Sequence, residues 1–388
     1  MSNGGTVVIG AGPAGLASAA ELRRRGVPAM VLERGDGIAT AWRGRYDRLR
    51  LNSSRWFSNL PGQRHPRESG TFPSRDAMVG YLEGYATDKN LDVRLNTRVE
   101  RLDRERGGWS LRTSAGDMEA DEVIVASGYA HTPFIPDWPG RERYGGPLLH
   151  AADYRSPEPF RDRDVLVVGP GCSGMEIAYD LIEAGARRVR LAVRTPPNIL
   201  IRAPLGPLFA RGLLKLGPRR ADRVISRVRR LEVGDLSEYG LPEPEEGVFT
   251  RLMRLGVAPA IVDKEVIQAI KDRRIEIVAG VKSLDDSGVG LADGVRVEPD
   301  AVIAATGYRC GLEPVVGHLG VLDQDGVPQP PTGDEAAPGL RFIGYLPRPA
   351  HIGLISREAT YAAKAIAHSK SQRPASSRSI QREITSTT

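Results

Sequence analysis

Thr6-Val-Val-Ile-Gly10-Ala-Gly12-Pro13-Ala14-Gly15 carries the pattern around which the rest of the chain is arranged. A short apolar strand, Val7 to Ile9, runs into three spaced glycines, and a helix-forming run from Leu16 to Arg25 follows. This is G-x-G-x-x-G in the strand–loop–helix setting that gives it meaning. Gly10 allows the tight turn, Gly12 lets backbone approach a pyrophosphate, and Gly15 lets the helix sit close on the sheet. The helix start, with Pro13 and Ala14, offers free N–H groups and a positive dipole end to phosphates. A second strand, Ala29 to Leu32, ends at Glu33. A carboxylate there suits the two hydroxyls of an adenosine ribose and repels a 2′-phosphate. The site reads as made for FAD or NAD, with Arg34 and Trp42 counted among its cofactor-binding residues.

The pattern recurs at Asp164. Val165 to Val168 is a strand, Gly169-Pro-Gly171-Cys-Ser173-Gly174 is a second G-x-G-x-x-G, and Met175 to Ala184 is a helix. The next strand, Arg188 to Val193, ends at Arg194, where Glu33 stood in the first copy. An arginine can give a 2′-phosphate charge-assisted hydrogen bonds worth roughly 1.5–3 kcal/mol. The exchange of sign assigns NADPH to the second loop, with Ser173 as a pyrophosphate donor, and FAD to the first. Two such sites on one chain imply electron transfer between two dinucleotides.

The bulk numbers agree with a two-domain globular enzyme. The chain has 388 residues, 40% hydrophobic and 26% charged, enough for two cores. Its net charge is +6, but 47 arginines against seven lysines are spread over the whole length. No aromatic-interleaved basic patch points to nucleic acid. Only Cys172 and Cys310 occur, which fits a reducing cytoplasm and argues against a disulfide framework. No charged-then-apolar leader and no run of eighteen apolar residues stands out, so a cytoplasmic chain without a membrane span is expected.

Between the glycine motifs, residues 34–74 form a loop-rich region dense in large apolar groups, the mark of a folded functional loop. Asn52 lies within it. A helix is expected over 76–88, strands over Val93 to Val99, Trp109 to Thr113 and from Glu122, and Pro133, Pro136 and Pro139 then break regular structure. After the second unit the pattern loosens over 196–260, and Arg219, Arg220, Arg223, Arg227, Arg229 and Arg230 fall within twelve residues. A basic amphipathic helix can lie on a membrane; an insertion with a solvated face, covering a substrate channel, is the preferred reading. A helix is expected over Val262 to Lys271, a strand over Ile275 to Val278, and hairpin strands over Val289 to Ala292 and Val295 to Val297. Asp300-Ala-Val-Ile-Ala-Ala-Thr306-Gly307-Tyr308 nearly copies residues 121–129, and 302–308 is expected to return the chain to the first sheet. A strand over Leu340 to Gly344, a helix over Ser356 to His368 and a disordered tail over 369–388 close the chain.

The expected architecture is α/β with two Rossmann-like dinucleotide-binding domains of the three-layer ββα/βαβ type. The FAD domain spans 1–154 and 300–368, and the NADPH domain, 155–299, is inserted in it and carries a helical insertion about 196–260.

Disulfide reduction needs a closely spaced cysteine pair, and none is present. The remaining outlet for electrons is O2. Tyr144-Gly-Gly146-Pro-Leu-Leu-His150-Ala-Ala-Asp-Tyr154 resembles the F-x-G-x-x-x-H-x-x-x-Y/F fingerprint of class B flavin-containing monooxygenases, with Tyr144 for the first Phe. Tyr154-Arg155 replaces the Trp-Pro of the Baeyer–Villiger fingerprint. Ala305-Thr306-Gly307-Tyr308 resembles the A-T-G-Y motif of N-hydroxylating and flavin-containing relatives. The likeness spans 5–368 and is nearest to the plant YUCCA-type enzymes, which oxidatively decarboxylate indole-3-pyruvate.

The resemblance implies FAD reduced by NADPH, then a C4a-hydroperoxyflavin that oxygenates a small organic substrate. It places Asn52 beside that intermediate as the catalytic amide, Thr306 and Gly307 among the cofactor-binding residues, and Gly146, His150 and Tyr154 in the linker. O2 and a small molecule are the partners implied, with a homodimer as the assembly considered and no metal. The competing readings are an NADPH oxidase-like flavoprotein, a Baeyer–Villiger enzyme and, outside enzymes, a flavin-binding redox sensor.

Overall fold

In the computed structural model, which describes residues 5–105, 107–346 and 350–372, Thr6–Ile9 lies inside a six-stranded sheet. It pairs in parallel with Ala29–Leu32 on one side and Glu122–Val125 on the other. The full order is Glu335–Ala337, Leu340–Phe342, Glu122–Val125, Thr6–Ile9, Ala29–Leu32 and Asp92–Arg94. Val8, Val31, Val123 and Ile124 are fully buried, as near-continuous apolar runs in a two-sided parallel sheet should be.

Helix α1 (Pro13–Arg24) follows the first loop. Gly10 has φ +105, and an added Cβ would lie 2.8 Å from the Ala126 carbonyl oxygen. A Cβ on Gly15 would sit 1.8 Å from the Gly10 carbonyl oxygen, so helix and loop touch backbone to backbone. Helix α2 (Arg75–Asp88), capped by Ser74 on the Ala77 N–H, buries Met78, Leu82 and Tyr85 against this unit.

The second unit repeats the construction. Its five parallel strands run Ile275–Ala279, Arg188–Val193, Asp164–Val168, Ala301–Ala304 and Leu148–His150. Helix α3 (Cys172–Glu183) leaves the second loop, with the Gly174 Cβ position 1.9 Å from the Gly169 carbonyl oxygen. The 196–260 region is a helical insert: α4 (Gly206–Leu214), α5 (Pro218–Glu232) and α6 (Val248–Leu255). They share a small core of Leu213, Ala221, Ile225, Val248 and Phe249. Helix α7 (Lys264–Lys271) precedes the Ile275–Ala279 strand, and α8 (His351–Gln372) packs on α1.

Several expectations are corrected. Ala301–Ala304 pairs with Asp164–Val168 and with Leu148–His150, in the second sheet; the chain re-enters the first sheet only at Leu340–Phe342, beside Glu122–Val125. The copied strand therefore completes the second nucleotide unit as Glu122–Val125 completes the first, and likeness of sequence reflects likeness of role. Leu148–His150, expected within the first unit, is an edge strand of the second sheet for the same reason. Val93 to Val99 is two strands, Asp92–Arg94 and Val99–Glu105, parted where Asn96 takes φ +53. Ala260–Val262 is a strand, so α7 starts later than expected. The tail begins later too: α8 runs through Gln372 because its apolar face stays on α1 up to Ile366. The rest of the expected tail lies outside the described residues. Among the described residues, no helix is long and apolar enough to cross a membrane.

Candidate active site

A cavity of about 1420 Å³ opens where the strands of the first sheet end and continues under the helical insert. Open α/β sheets place ligands in this position. Gly10, Gly12, Pro13 and Ala14 form its floor, with Glu33, Arg34 and Trp42 beside them. Gly15 stands behind the floor, holding α1 on the sheet. The Glu33 carboxylate is 7% exposed and accepts the Ala11 N–H at 2.8 Å and the Gly35 N–H at 2.9 Å, so its position is set by backbone. Arg34 donates to His131 Nε2 at 2.8 Å. Burial, and then the charges of Arg34 and Arg98, hold the His131 pKa down at about 4, which keeps the ring neutral and able to accept. Trp42 packs, partly buried, against the first core.

Asn52 lies on the cavity wall facing the second unit. Its Oδ1 is buried and has no partner among the described residues, while its amide sits at the Cys172 thiol. Cys172, the one residue of the second loop on the cavity wall, accepts the Ile261 N–H at 3.3 Å. Burial pushes its thiol pKa up, so it remains a thiol. A buried amide oxygen without a partner is costly, and the place of this one on the cavity wall makes it available to a bound ligand.

The remaining second-loop residues lie beyond that wall. Nothing comes within 4 Å of a Cβ on Gly171. Ser173 reaches the Tyr46 hydroxyl. Arg194 is exposed at the end of its strand, has no ion-pair partner within reach among the described residues, and is approached closely by Gly280. Thr306 and Gly307 are not on the cavity wall. The Thr306 hydroxyl donates to the Phe134 carbonyl, and the Gly307 carbonyl accepts the Phe134 N–H at 3.1 Å. They tie the two crossings between the units together.

The linker residues do the same. Gly146 leaves room for the Tyr144 ring, whose hydroxyl would lie 2.6 Å from an added Cβ. His150 Nδ1 accepts the Ala152 N–H at 3.0 Å, so Nε2 carries the proton and donates to the Gly307 carbonyl at 2.9 Å. Burial lowers its pKa and keeps it neutral. The Tyr154 hydroxyl donates to Asp180 on α3 at 2.8 Å.

Sequence reasoning missed a buried network next to these residues. The Tyr46 hydroxyl donates to Glu176 Oε2 at 2.7 Å, and Glu176 Oε1 is ion-paired with Arg202. Burial pushes the Glu176 carboxyl up, opposed by the Arg202 charge and the Tyr46 hydrogen bond. Tyr46 belongs to the loop that carries Asn52, Glu176 to α3 and Arg202 to the root of the insert. No spacing links positions 46, 176 and 202; three ordinary polar residues gave no signal. Past Asn52 the cavity wall is apolar, from Leu200, Ile201, Phe209, Phe249 and Ile261 among others.

The comparisons with known proteins agree with this geometry. Residues 7–200 match the family described as pyridine nucleotide-disulphide oxidoreductase. The chain is 36% identical over 355 residues to the indole-3-pyruvate monooxygenase YUCCA1 of Oryza sativa subsp. japonica, covering 89% of this chain and 87% of that protein. Among solved structures it superposes on a mutant flavin monooxygenase from Stenotrophomonas maltophilia with a TM-score of 0.73 at 24% identity, covering 94% of this chain and 98% of that one. It also superposes on an oxidized steroid monooxygenase bound to NADP, with a TM-score of 0.69 at 19% identity, covering 95% and 86%.

Proposed function

Because this chain belongs to the class B flavin-containing monooxygenases, enzymes that use FAD and NADPH, we propose that its first loop holds FAD, its second NADPH, and that the chamber under the insert takes the substrate. The residues present fit both groups. Nothing comes within 4 Å of a Cβ on Gly12 or Gly171, so both loops leave room at the point where a pyrophosphate must approach. Asn52 Oδ1 is a buried polar atom still lacking a partner.

Bound FAD would supply hydride acceptance from NADPH and activation of O2 for the transfer of one oxygen atom to a small organic substrate. The chain's residues bind, orient and exclude water. The N–H groups at the start of α1 would hold the FAD pyrophosphate, and the backbone-held Glu33 carboxylate would accept the ribose hydroxyls. Arg194 would donate to the 2′-phosphate of NADPH, and Ser173 to its pyrophosphate. Asn52 offers an amide that both donates and accepts at the reacting end of the cavity. The apolar wall beyond it keeps water from the reaction. His150, Tyr154 and the Tyr46–Glu176–Arg202 network hold the two loops in register, which such chemistry requires to within about 1 Å.

The observation that carries this reading is the single continuous cavity, running from the first glycine loop past Asn52 and Cys172 into an apolar chamber. The substrate is a 2-oxo acid, the class to which the indole-3-pyruvate of the relative belongs, taken for oxidative decarboxylation, or an amine or sulfide taken for N- or S-oxygenation. The test is NADPH consumption by the FAD-loaded protein, corrected for peroxide, against 2-oxo acids, amines, sulfides and ketones. At least one class is expected to raise consumption without matching peroxide. Peroxide equal to NADPH with every class would make the protein an oxidase.

A further inference from the structure

The insert carries a feature that cofactor binding does not use. Among the described residues thirteen large apolar side chains are exposed, and eight of them fall within 205–257. Three helix ends bordering the cavity, the start of α4, the end of α5 and the end of α6, contribute Phe209, Val228 and Leu252 to its wall. Their neighbours Leu208, Leu231 and Met253 are 57%, 87% and 67% exposed. The cavity thus opens through an apolar rim. A patch of this kind on a surface otherwise free of such clusters marks a contact site.

Charge says what it contacts. The α4–α5 hairpin, residues 206–232, holds eight arginines and lysines against the two acids Asp222 and Glu232, a net +6. The whole chain is +6, so everything outside this hairpin sums to zero. Asp222 is itself engaged, accepting the Phe249 and Thr250 N–H groups at the start of α6. Arg219, Arg220, Arg223, Arg227 and Arg230 are exposed along α5 at helical spacing. A second copy of the chain docking by the same patch would set two such hairpins against each other. An anionic lipid surface satisfies both parts, taking leucines and methionine into the headgroup boundary and neutralising the arginines.

We propose that the α4–α6 insert docks the enzyme peripherally on anionic bilayers, with the cavity rim set against the lipid, so that apolar molecules enter the chamber from the membrane side. This docking is independent of the oxygenation reading, and its test uses no turnover. The FAD-loaded full chain is floated with vesicles of phosphatidylglycerol and phosphatidylcholine in equal parts, and with phosphatidylcholine alone. Flotation with the first and not the second is expected, weakening as salt rises. The triple variant Arg220→Glu, Arg223→Glu and Arg227→Glu should lower partitioning at least about a hundredfold. Leu208→Ser, Leu231→Ser and Met253→Ser together should abolish it. Both variants should keep the bound-flavin absorbance, which shows that they fold. Absence of flotation with the anionic vesicles, or flotation that both folded variants retain, overturns the proposal. So does a stable dimer of the native chain that the serine variant turns into monomer.

Discussion

Arg202→Met tests the buried network that holds the Asn52 loop to the second nucleotide unit. The Arg202 and Glu176 side chains are 3% and 7% exposed, and Arg202 is the only cation ion-paired with that carboxylate among the described residues. Methionine keeps most of the volume but leaves the buried Glu176 carboxyl with only the Tyr46 hydroxyl at 2.7 Å and its pKa pushed further up, and it takes from Asp263 the guanidinium 3.4 Å away. Breaking a buried pair from one side costs about 3–5 kcal/mol. Removing both charges should cost much less. In Glu176→Leu/Arg202→Met the remaining penalties are the Tyr46 hydroxyl without its acceptor, about 1–3 kcal/mol, and the lost contact of Arg202 with the partly exposed Asp263. Urea unfolding followed by far-ultraviolet circular dichroism and by flavin fluorescence measures both. Flavin release should precede global unfolding in the single variant, because Arg202 adjoins Ile201 on the cavity wall. A single variant within about 1 kcal/mol of the native protein, or a double variant no better than the single, would refute the reasoning.

Three further expectations concern the site and its surroundings. Arg194→Ala should raise the NADPH KM about tenfold and leave NADH use nearly unchanged, since the exposed guanidinium has no ion-pair partner to lose among the described residues; equal losses with both nucleotides would contradict its role. Asn52→Ala should still allow flavin reduction by NADPH but release more peroxide per NADPH, measured by a peroxidase-coupled assay; unchanged coupling would remove Asn52 from the reaction. His65 is stacked 3.8 Å from Tyr81 and bonded to the Ser58 carbonyl at 3.1 Å, and burial lowers its pKa from 6.5 to about 4. As pH falls the unfolded chain binds this proton first, so its contribution is complete above about 6.5 and is lost between 6.5 and 4, by up to about 1.4 kcal/mol per pH unit. His65→Phe keeps the stack and should flatten the dependence of melting temperature on pH in that window; an unaltered slope would refute the assignment.

Much of the fold could be read from local pattern because its two nucleotide units are built from short-range rules. Gly10 with Gly15, and Gly169 with Gly174, are dictated by backbone contacts a few residues apart, and Glu33 and Arg194 stand at the ends of strands whose apolar runs mark them. Pairing between distant segments was less legible. Residues 300–308 so resemble 121–129 that they suggest the same sheet, whereas the likeness arises because each closes its own nucleotide unit. The network of Tyr46, Glu176 and Arg202 joins three distant segments through side chains that any surface might carry. The insert was visible as a loss of regular pattern with an arginine run, but its apolar wall and exposed rim depend on how α4, α5 and α6 pack. Thr306 and Gly307, which motif likeness assigns to a cofactor, bond to Phe134 and His150, a distinction that only the three-dimensional path of the crossings reveals.

The central claim is that electrons from NADPH are spent on transferring one atom of O2 to an organic substrate. It is tested most directly by turnover under 18O2 with a substrate that raises peroxide-corrected NADPH consumption, followed by mass spectrometry of the product. One 18O atom is expected in each product molecule, retained when the experiment is run in ordinary water. Product without label, or label appearing only as hydrogen peroxide, would contradict it.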